Sequence, residues 1–150
     1  MENHTPTTEQ LLLENHTLKL RLESLEKNSY NKMLNLLEKT SSIAQIGGWE
    51  IDLETMQLTW TKEVYRIHEV SDDFVPQVES AISFYAPQAQ PIITQAVKSS
   101  IESGESWDLE LPLITAKGNK IWVRALGEAV FKDGKVVRVI GTFQNINDRY

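Results

Sequence analysis

The sequence has no cysteine, few histidines and no long apolar run. The absence of cysteine among its 150 residues excludes disulfides, thiolate metal ligands and a cysteine nucleophile, and is typical of a cytoplasmic protein. No stretch approaches the roughly 20 apolar residues that a membrane-spanning helix requires. The first residues, M-E-N-H, lack the basic and apolar regions of a secretory signal peptide. We therefore expect a cytoplasmic chain without membrane insertion.

Basic residues are in the minority. The 15 lysines and arginines are outnumbered by 21 acidic residues, which gives a net charge of −6. A negative surface repels phosphate backbones and anionic lipids, so nucleic acids and membrane surfaces are unfavourable partners. The apolar fraction of 41% is sufficient for one modest core, and the length suits a single domain with an appendage.

The N-terminal segment, residues 1–40, has the pattern of a charged amphipathic helix. Thr7 and Gln10 have the spacing of a capping box, in which two side chains satisfy free backbone N–H groups. Spacings of four and three then define an apolar seam with one asparagine, formed by Leu11, Asn15, Leu18, Leu22 and Leu25. Such a seam is typical of a coiled coil, and a buried asparagine favours a dimer in one register. We predict a homodimer through this helix; a helix that folds back on its own domain is the alternative.

The seam does not continue unchanged along the segment. Ser29 and Lys32 occupy its next positions, and the apolar residues restart at Tyr30 and Met33. This shift predicts either a stutter in the coiled coil or a break between two helices.

Residues 41–148 have a different pattern, with short strands and turns around a few helices. Two strands precede the helices and three longer strands follow, the last two joined by the hairpin turn signal Asp133-Gly134. Gly104 is placed to end the last helix and Thr61 to cap the first. This order predicts an α+β domain, with a five-stranded antiparallel sheet and short helices on one face.

Several motifs of this domain occur in the order of a known family. Residues 48–53 read G-W-E-I-D-L, residues 58–61 read L-T-W-T, residues 117–124 read K-G-N-K-I-W-V-R, and residues 139–146 read V-I-G-T-F-Q-N-I. These motifs resemble a PAS domain of a bacterial sensory signalling protein, in the subclass that opens with G-x-W-x-x-D-L and L-x-W-[ST]. The resemblance covers residues 41–148 and implies the PAS fold.

Three departures from the family pattern bear on function. Residues 86–91 read A-P-Q-A-Q-P, where the family usually has H-P-e-D. Asn145 and Asn147 stand where relatives have the D-I-T triplet that links the last strand to the departing helix, so the resemblance places the signal relay at these two residues and implies an altered coupling. Phe143 holds the position of the flavin-bonding glutamine of light sensors, and without cysteine a photoreactive flavin adduct is excluded. We expect no cofactor and a colourless protein.

The resemblance also implies a central cavity between the sheet and the helices. If Gly141 faces inward, strand alternation places Val139 and Phe143 on the same face. The residues that the family's fold predicts around the cavity are Tyr65, Phe84, Ile92, Trp107, Leu109, Leu126, Val139 and Phe143. A ligand there would be small and mainly apolar or aromatic, with Tyr65 as a polar contact. A core filled by these side chains and the tryptophans is the alternative.

The polar residues do not form a catalytic or metal-binding pattern. The three histidines, His4, His16 and His68, lack metal-ligand spacing, and no nucleophile elbow surrounds any serine. We interpret His68 as a favourable charge near a helix C-terminus rather than as an iron ligand. Glu110 and Arg124 are expected to form a structural cross-strand pair. The chain itself is therefore expected not to be an enzyme.

The function that the resemblance implies is sensory. We expect a PAS module that relays a ligand or partner signal, within a homodimer, to a covalently linked output domain. A histidine kinase is the first choice for that domain and a diguanylate cyclase the second. A ligand-free module for homodimerisation and protein interaction is the alternative.

Overall fold

Four α-helices and five β-strands make up the computed structural model, which describes residues 5–149 and the side chains of residues 5–148. The helices are α1 (Thr8–Ala44), α2 (Lys62–His68), α3 (Val78–Ser83) and α4 (Gln90–Ser103). The strands are β1 (Ile46–Asp52), β2 (Gln57–Trp60), β3 (Trp107–Ile114), β4 (Lys120–Lys132) and β5 (Lys135–Asn145). A 3₁₀ turn, Asn147–Arg149, follows β5. His4 and the other residues of segment 1–4, which begin the predicted N-terminal helix, lie outside the described residues.

The predicted capping box precedes α1. Thr7 Oγ1 accepts a hydrogen bond from the Gln10 N–H at 3.1 Å, and Gln10 Oε1 accepts one from the Thr7 N–H at 2.9 Å. The helix then runs without interruption for 37 residues, so a break between two helices near Ser29 is excluded. None of its residues is buried. The chain divides into two compact units between residues 39 and 40.

The strands form one antiparallel sheet in the order β2-β1-β5-β4-β3. The predicted α+β class and five-stranded sheet are therefore confirmed. Trp49 of β1 lies opposite Trp60 of β2 on one side and Gly141 of β5 on the other. Gly141 lies opposite Gly127 of β4, which in turn faces Trp107 of β3. One row of residues across all five strands thus contains three tryptophans and two glycines.

The core lies on one face of the sheet, against the helices. Both α2 and α4 contact the central strands, and α3 contacts α4. Val139 and Phe143 of β5 are 0% and 4% exposed, which confirms the prediction that they face inward. Because side chains alternate along a strand, Ala125 of β4, which pairs with Phe143, also faces this core.

The turn residues adopt the conformations that their sequence predicts. Asp133 and Gly134 have positive φ angles of 53° and 78°, as a type I′ hairpin turn requires. Gly104 ends α4 with a φ of 74°, and its N–H bonds the Ser100 carbonyl at 3.0 Å. Pro91 lies in the first turn of the same helix, where its missing N–H has no intrahelical partner to lose.

The structure corrects one predicted side-chain role and adds a partner to another. Thr61 precedes α2 at the capping position, but its hydroxyl accepts a hydrogen bond from the Gly48 N–H at 2.9 Å instead of capping the helix. Arg124 lies directly opposite Glu110, as predicted, and also pairs with Asp108, with distances of 2.8 Å and 2.6 Å to its two carboxylate oxygens. The bidentate hydrogen bonds from Arg124 lower the pKa of Asp108.

Candidate functional site

A small cavity lies between the inner face of the sheet and the helices. Its volume is about 60 Å³, and aromatic and aliphatic side chains make up almost all of its lining. The lining comes from all five strands and three helices, and includes Trp49, Ile51, Trp60, Val64, His68, Ile82, Tyr85, Ile93, Val97, Trp107, Ala125 and Phe143. An apolar cavity of about 150 Å³ can hold benzene, so this one has room for a smaller group.

Two tryptophans meet above the central strands at this cavity. Trp49 and Trp107 stack with their ring centroids 5.5 Å apart and their planes 19° from parallel. Their rings cover Gly141 and Gly127, where an added Cβ would collide with the indoles. The Trp49 indole N–H bonds the Thr142 carbonyl at 3.3 Å. The Trp107 indole N–H is buried without a hydrogen-bond partner among the described residues, so it is a donor that a ligand or water could satisfy.

His68 is the most polar side chain of the lining. Its imidazole is stacked between Trp60 and Phe143, with ring centroids 4.3 Å and 4.8 Å away. Burial lowers the pKa of His68 to about 4, so the ring is neutral near pH 7. Nδ1 lies 2.8 Å from the Val64 carbonyl, which can only accept, so Nδ1 carries the proton and Nε2 is an acceptor.

The sequence interpretation of His68 is therefore wrong. A residue that is 2% exposed and uncharged cannot act as a surface cation at a helix C-terminus. A signal for its burial was present, because Val64, Ile67 and His68 have the spacing of one helical face.

Two of the eight predicted pocket residues line the cavity, and three others lie in the core or pack against it. Trp107 and Phe143 line the cavity. Val139 is fully buried in the core beside it. Tyr65 and Phe84 pack against the core from the helical side, but neither reaches the cavity, and Tyr85 lines it instead. Burial raises the pKa of Tyr85, so its phenol stays protonated.

The other three predicted pocket residues do not line the cavity either. Leu109 is on the inner side of β3 but lines a separate groove along α4. Ile92 is 48% exposed on α4, so its placement in the cavity is wrong. Leu126 pairs with Thr142, next to Phe143 along the strand, and alternation therefore puts it on the opposite face of the sheet. Its placement in the cavity is also wrong.

The predicted relay residues lie at the end of β5, beside the start of the domain. The Asn145 N–H bonds the carbonyl of Gln45, the residue that follows α1, at 3.0 Å. Asn147 Oδ1 accepts a hydrogen bond from the Trp122 N–H at 3.2 Å, and the Asn147 N–H bonds Asn145 Oδ1 at 3.0 Å. This end of the strand is thus joined both to β4 and to the junction between α1 and β1.

Comparison with known families agrees with this architecture. A family model described as the PAS fold matches residues 57–143, more than half of the chain. The chain belongs to the PAS family. The predicted family is therefore confirmed. The matched residues include His68, Trp107 and Phe143 of the cavity lining, whereas Trp49, Asn145 and Asn147 lie just outside the match.

Relatives of this PAS domain occur within larger signalling proteins. The probable diguanylate cyclase DgcE of Escherichia coli strain K12 is 24% identical over 127 residues, which cover 81% of this chain but 11% of that protein. A sensory box histidine kinase/response regulator from Burkholderia thailandensis E264 superposes with a TM-score of 0.61 at 21% identity, covering 75% of this chain and 86% of that one. The N-terminal domain of a diguanylate cyclase with PAS/PAC sensor from Marinobacter aquaeolei superposes with a TM-score of 0.64 at 19% identity. The match covers 69% of this chain and 97% of that one.

The helix that precedes the PAS domain has an exposed apolar seam. Leu11, Leu18, Leu22 and Leu25 are 51–59% exposed, and Asn15 is exposed between them. Leucine side chains of this exposure are free to bury surface against another helix.

No helix among residues 5–149 is long and apolar enough to cross a membrane. The same residues contain no cluster of three acidic or histidine side chains that could hold a metal ion.

Proposed function

We propose that this chain is the sensory and dimerisation module of a larger signal-transduction protein. In this proposal the PAS domain passes the state of its cavity to an output domain, a histidine kinase as first choice and a diguanylate cyclase as second. The observation that carries the proposal is the course of β5. Phe143 lines the cavity, and two residues later the Asn145 N–H bonds Gln45 at the end of α1.

The relay we propose uses this strand and the helix α2. A ligand that displaces Phe143 or His68 changes the position of β5 and of α2 against the sheet. At its C-terminal end, β5 leads to the Asn145 and Asn147 hydrogen bonds. From α2, Arg66 donates to Ser42 Oγ in the last turn of α1 at 3.1 Å. Through the hydrogen bonds at the end of β5 and the Arg66–Ser42 hydrogen bond, a structural change at the cavity would be transmitted to both ends of the domain.

The ligand we propose is small, mainly apolar and planar. The cavity of about 60 Å³ accepts only a few non-hydrogen atoms unless its walls move. Aromatic rings on several sides favour a flat molecule that stacks. His68 Nε2 is an acceptor for a ligand N–H or O–H, so one donor group on the ligand would fix its orientation.

A thermal-shift screen of small metabolites tests this site. We expect at least one compound to stabilise the full chain, and we expect Phe143→Ala to abolish that shift while remaining folded. Phe131→Ala is the matched control, because Phe131 is 55% exposed and does not line the cavity. A stabilising compound that acts equally on both variants would place the ligand outside the cavity.

The proposed homodimer uses the seam of α1. We expect the full chain to sediment as a dimer and the double variant Leu18→Lys/Leu22→Lys to sediment as a monomer, because two lysines in the seam cannot be buried. Leu13→Lys/Leu20→Lys makes the same chemical change at exposed leucines outside the seam and should leave the dimer intact. A monomeric wild-type chain at high concentration would contradict this part of the proposal.

A ligand-free module for homodimerisation and protein interaction is the second candidate. It is favoured by the small cavity volume, since Trp49, Trp107 and His68 already fill most of the space above the sheet. In that case Phe143→Ala lowers stability by about 3–5 kcal/mol and a broad screen finds no stabilising compound. The screen therefore separates the two candidates.

A further inference from the structure

We infer that two copies of α1 pair parallel and in register, and that charged residues beside the seam select this arrangement. The inference rests on the proposed homodimer and adds its orientation. The seam spacing places Leu11, Leu18 and Leu25 at d positions of a heptad repeat and Asn15 and Leu22 at a positions. All five side chains are exposed on an uninterrupted helix, so they are available to a second copy.

The residues flanking the seam have opposite charges at the spacing of a parallel dimer. In parallel coiled coils a g residue faces the e residue five positions later on the partner helix. Glu14 at g therefore faces Lys19 at e of the second copy, and Arg21 at g faces Glu26 at e. By symmetry each pair forms twice, which gives four interhelical ion pairs within two heptads.

The same residues disfavour an antiparallel dimer. In the antiparallel register that buries the seam residues of the two helices against each other, Leu18 lies opposite Leu22 and Asn15 lies opposite Leu25. In that arrangement g residues face g residues and e residues face e residues, so Arg21 meets Arg21 and Lys19 meets Lys19. Asn15 would be buried against leucine without a hydrogen-bond partner, whereas in the parallel dimer it meets the second Asn15.

A charge exchange tests the proposed pairs in the full chain. Glu14→Lys places a lysine against Lys19 of the second copy, and we expect the Kd of the dimer to rise about tenfold. Adding Lys19→Glu restores opposite charges, so the Kd should return to within about twofold of the wild-type value. Glu23→Lys is the control, since it makes the same change at a b position away from the seam. A double variant that binds no better than Glu14→Lys would overturn the pairing.

Cysteine cross-linking tests the orientation, because the chain contains no native cysteine. In the parallel dimer the two copies of Leu25→Cys meet at the seam and form a disulfide, whereas in the antiparallel register they lie ten residues, about 15 Å, apart. Leu20→Cys, at an f position, controls for random collisions. We expect rapid cross-linking of Leu25→Cys only.

A mixture of Leu25→Cys and Asn15→Cys chains separates the outcomes. Disulfides between Cys at 25 and Cys at 15 of different chains would show an antiparallel dimer and overturn the inference, while the proposed homodimer would stand. If the wild-type chain and every variant sediment as monomers, the proposal of a homodimer is wrong, and the inference about its orientation is wrong as well.

Discussion

Trp49 and Trp107 come from the two strands that flank the central pair β5–β4, and their indoles stack above that pair at 5.5 Å. The stack is possible because Gly141 and Gly127, directly opposite each other, have no side chains in the way. Two large residues and two glycines therefore act as one packing unit. A side chain added to either glycine collides with an indole that lines the cavity, and at Gly141 it also collides with the Leu126 carbonyl.

The first prediction concerns this unit. Gly127→Ala should lower the free energy of unfolding by about 1–3 kcal/mol, because its methyl group collides with the Trp107 ring. Chemical denaturation measures this loss, and near-UV circular dichroism should report a changed tryptophan environment. Gly48→Ala is the control, since its methyl group meets Thr61 Cγ2 at an ordinary 3.6 Å. Equal stabilities of the two variants would contradict the role of the stack.

The second prediction is a loss of stability in acid that depends on His68. Its pKa is about 4 in the folded protein, against 6.5 for a solvent-exposed histidine, so the unfolded chain binds more protons between these values. The free energy of unfolding should therefore fall as the pH decreases from 6.5, with His68 contributing about 3 kcal/mol to the loss by pH 4. Urea denaturation at several pH values measures it.

The control for this prediction is His68→Phe, which keeps an aromatic ring but cannot titrate. Its stability should depend less on pH in the same window, whatever its absolute value. Parallel curves for wild type and variant would show that the buried imidazole is not responsible.

The third prediction concerns the end of β5. Asn147→Ala removes the side-chain acceptor of the Trp122 N–H, so amide hydrogen exchange at Trp122 should accelerate about five- to tenfold. The amide of Leu53, which bonds the Val137 carbonyl at the other end of the strand, is the internal reference and should not change. Unaltered exchange at Trp122 would argue against coupling through this asparagine.

The fourth prediction is that the purified protein is colourless. A cavity of about 60 Å³ is smaller than the roughly 150 Å³ that holds benzene, so an isoalloxazine or a porphyrin would have to displace the stacked aromatic rings. The absorption spectrum should contain only the ultraviolet band of tryptophan and tyrosine. A visible band that copurifies with the folded chain would contradict the prediction.

Local rules were sufficient for the order of the elements and for their ends. Three of these features depend on only a few neighbouring residues, and the structure confirms each of them. They are the capping box at Thr7, the left-handed conformation of Gly104 and the turn at Asp133. Strand alternation was sufficient for β5, where Val139 and Phe143 share the inner face. These features are determined by backbone sterics and nearby hydrogen bonds, which the sequence contains directly.

The composition of the cavity was decided by tertiary packing. In β4 both Ala125 and Leu126 are apolar, so alternation alone did not indicate which of them faces the core. The smaller residues face inward because Trp107 lies over Gly127, and Leu126 is therefore on the opposite face. The rotation of α2 similarly buries His68 between two rings, which removes the charge that its sequence position suggested. Sequence thus determined where strands and helices form, whereas register and helix rotation decided which side chains meet and how they ionise.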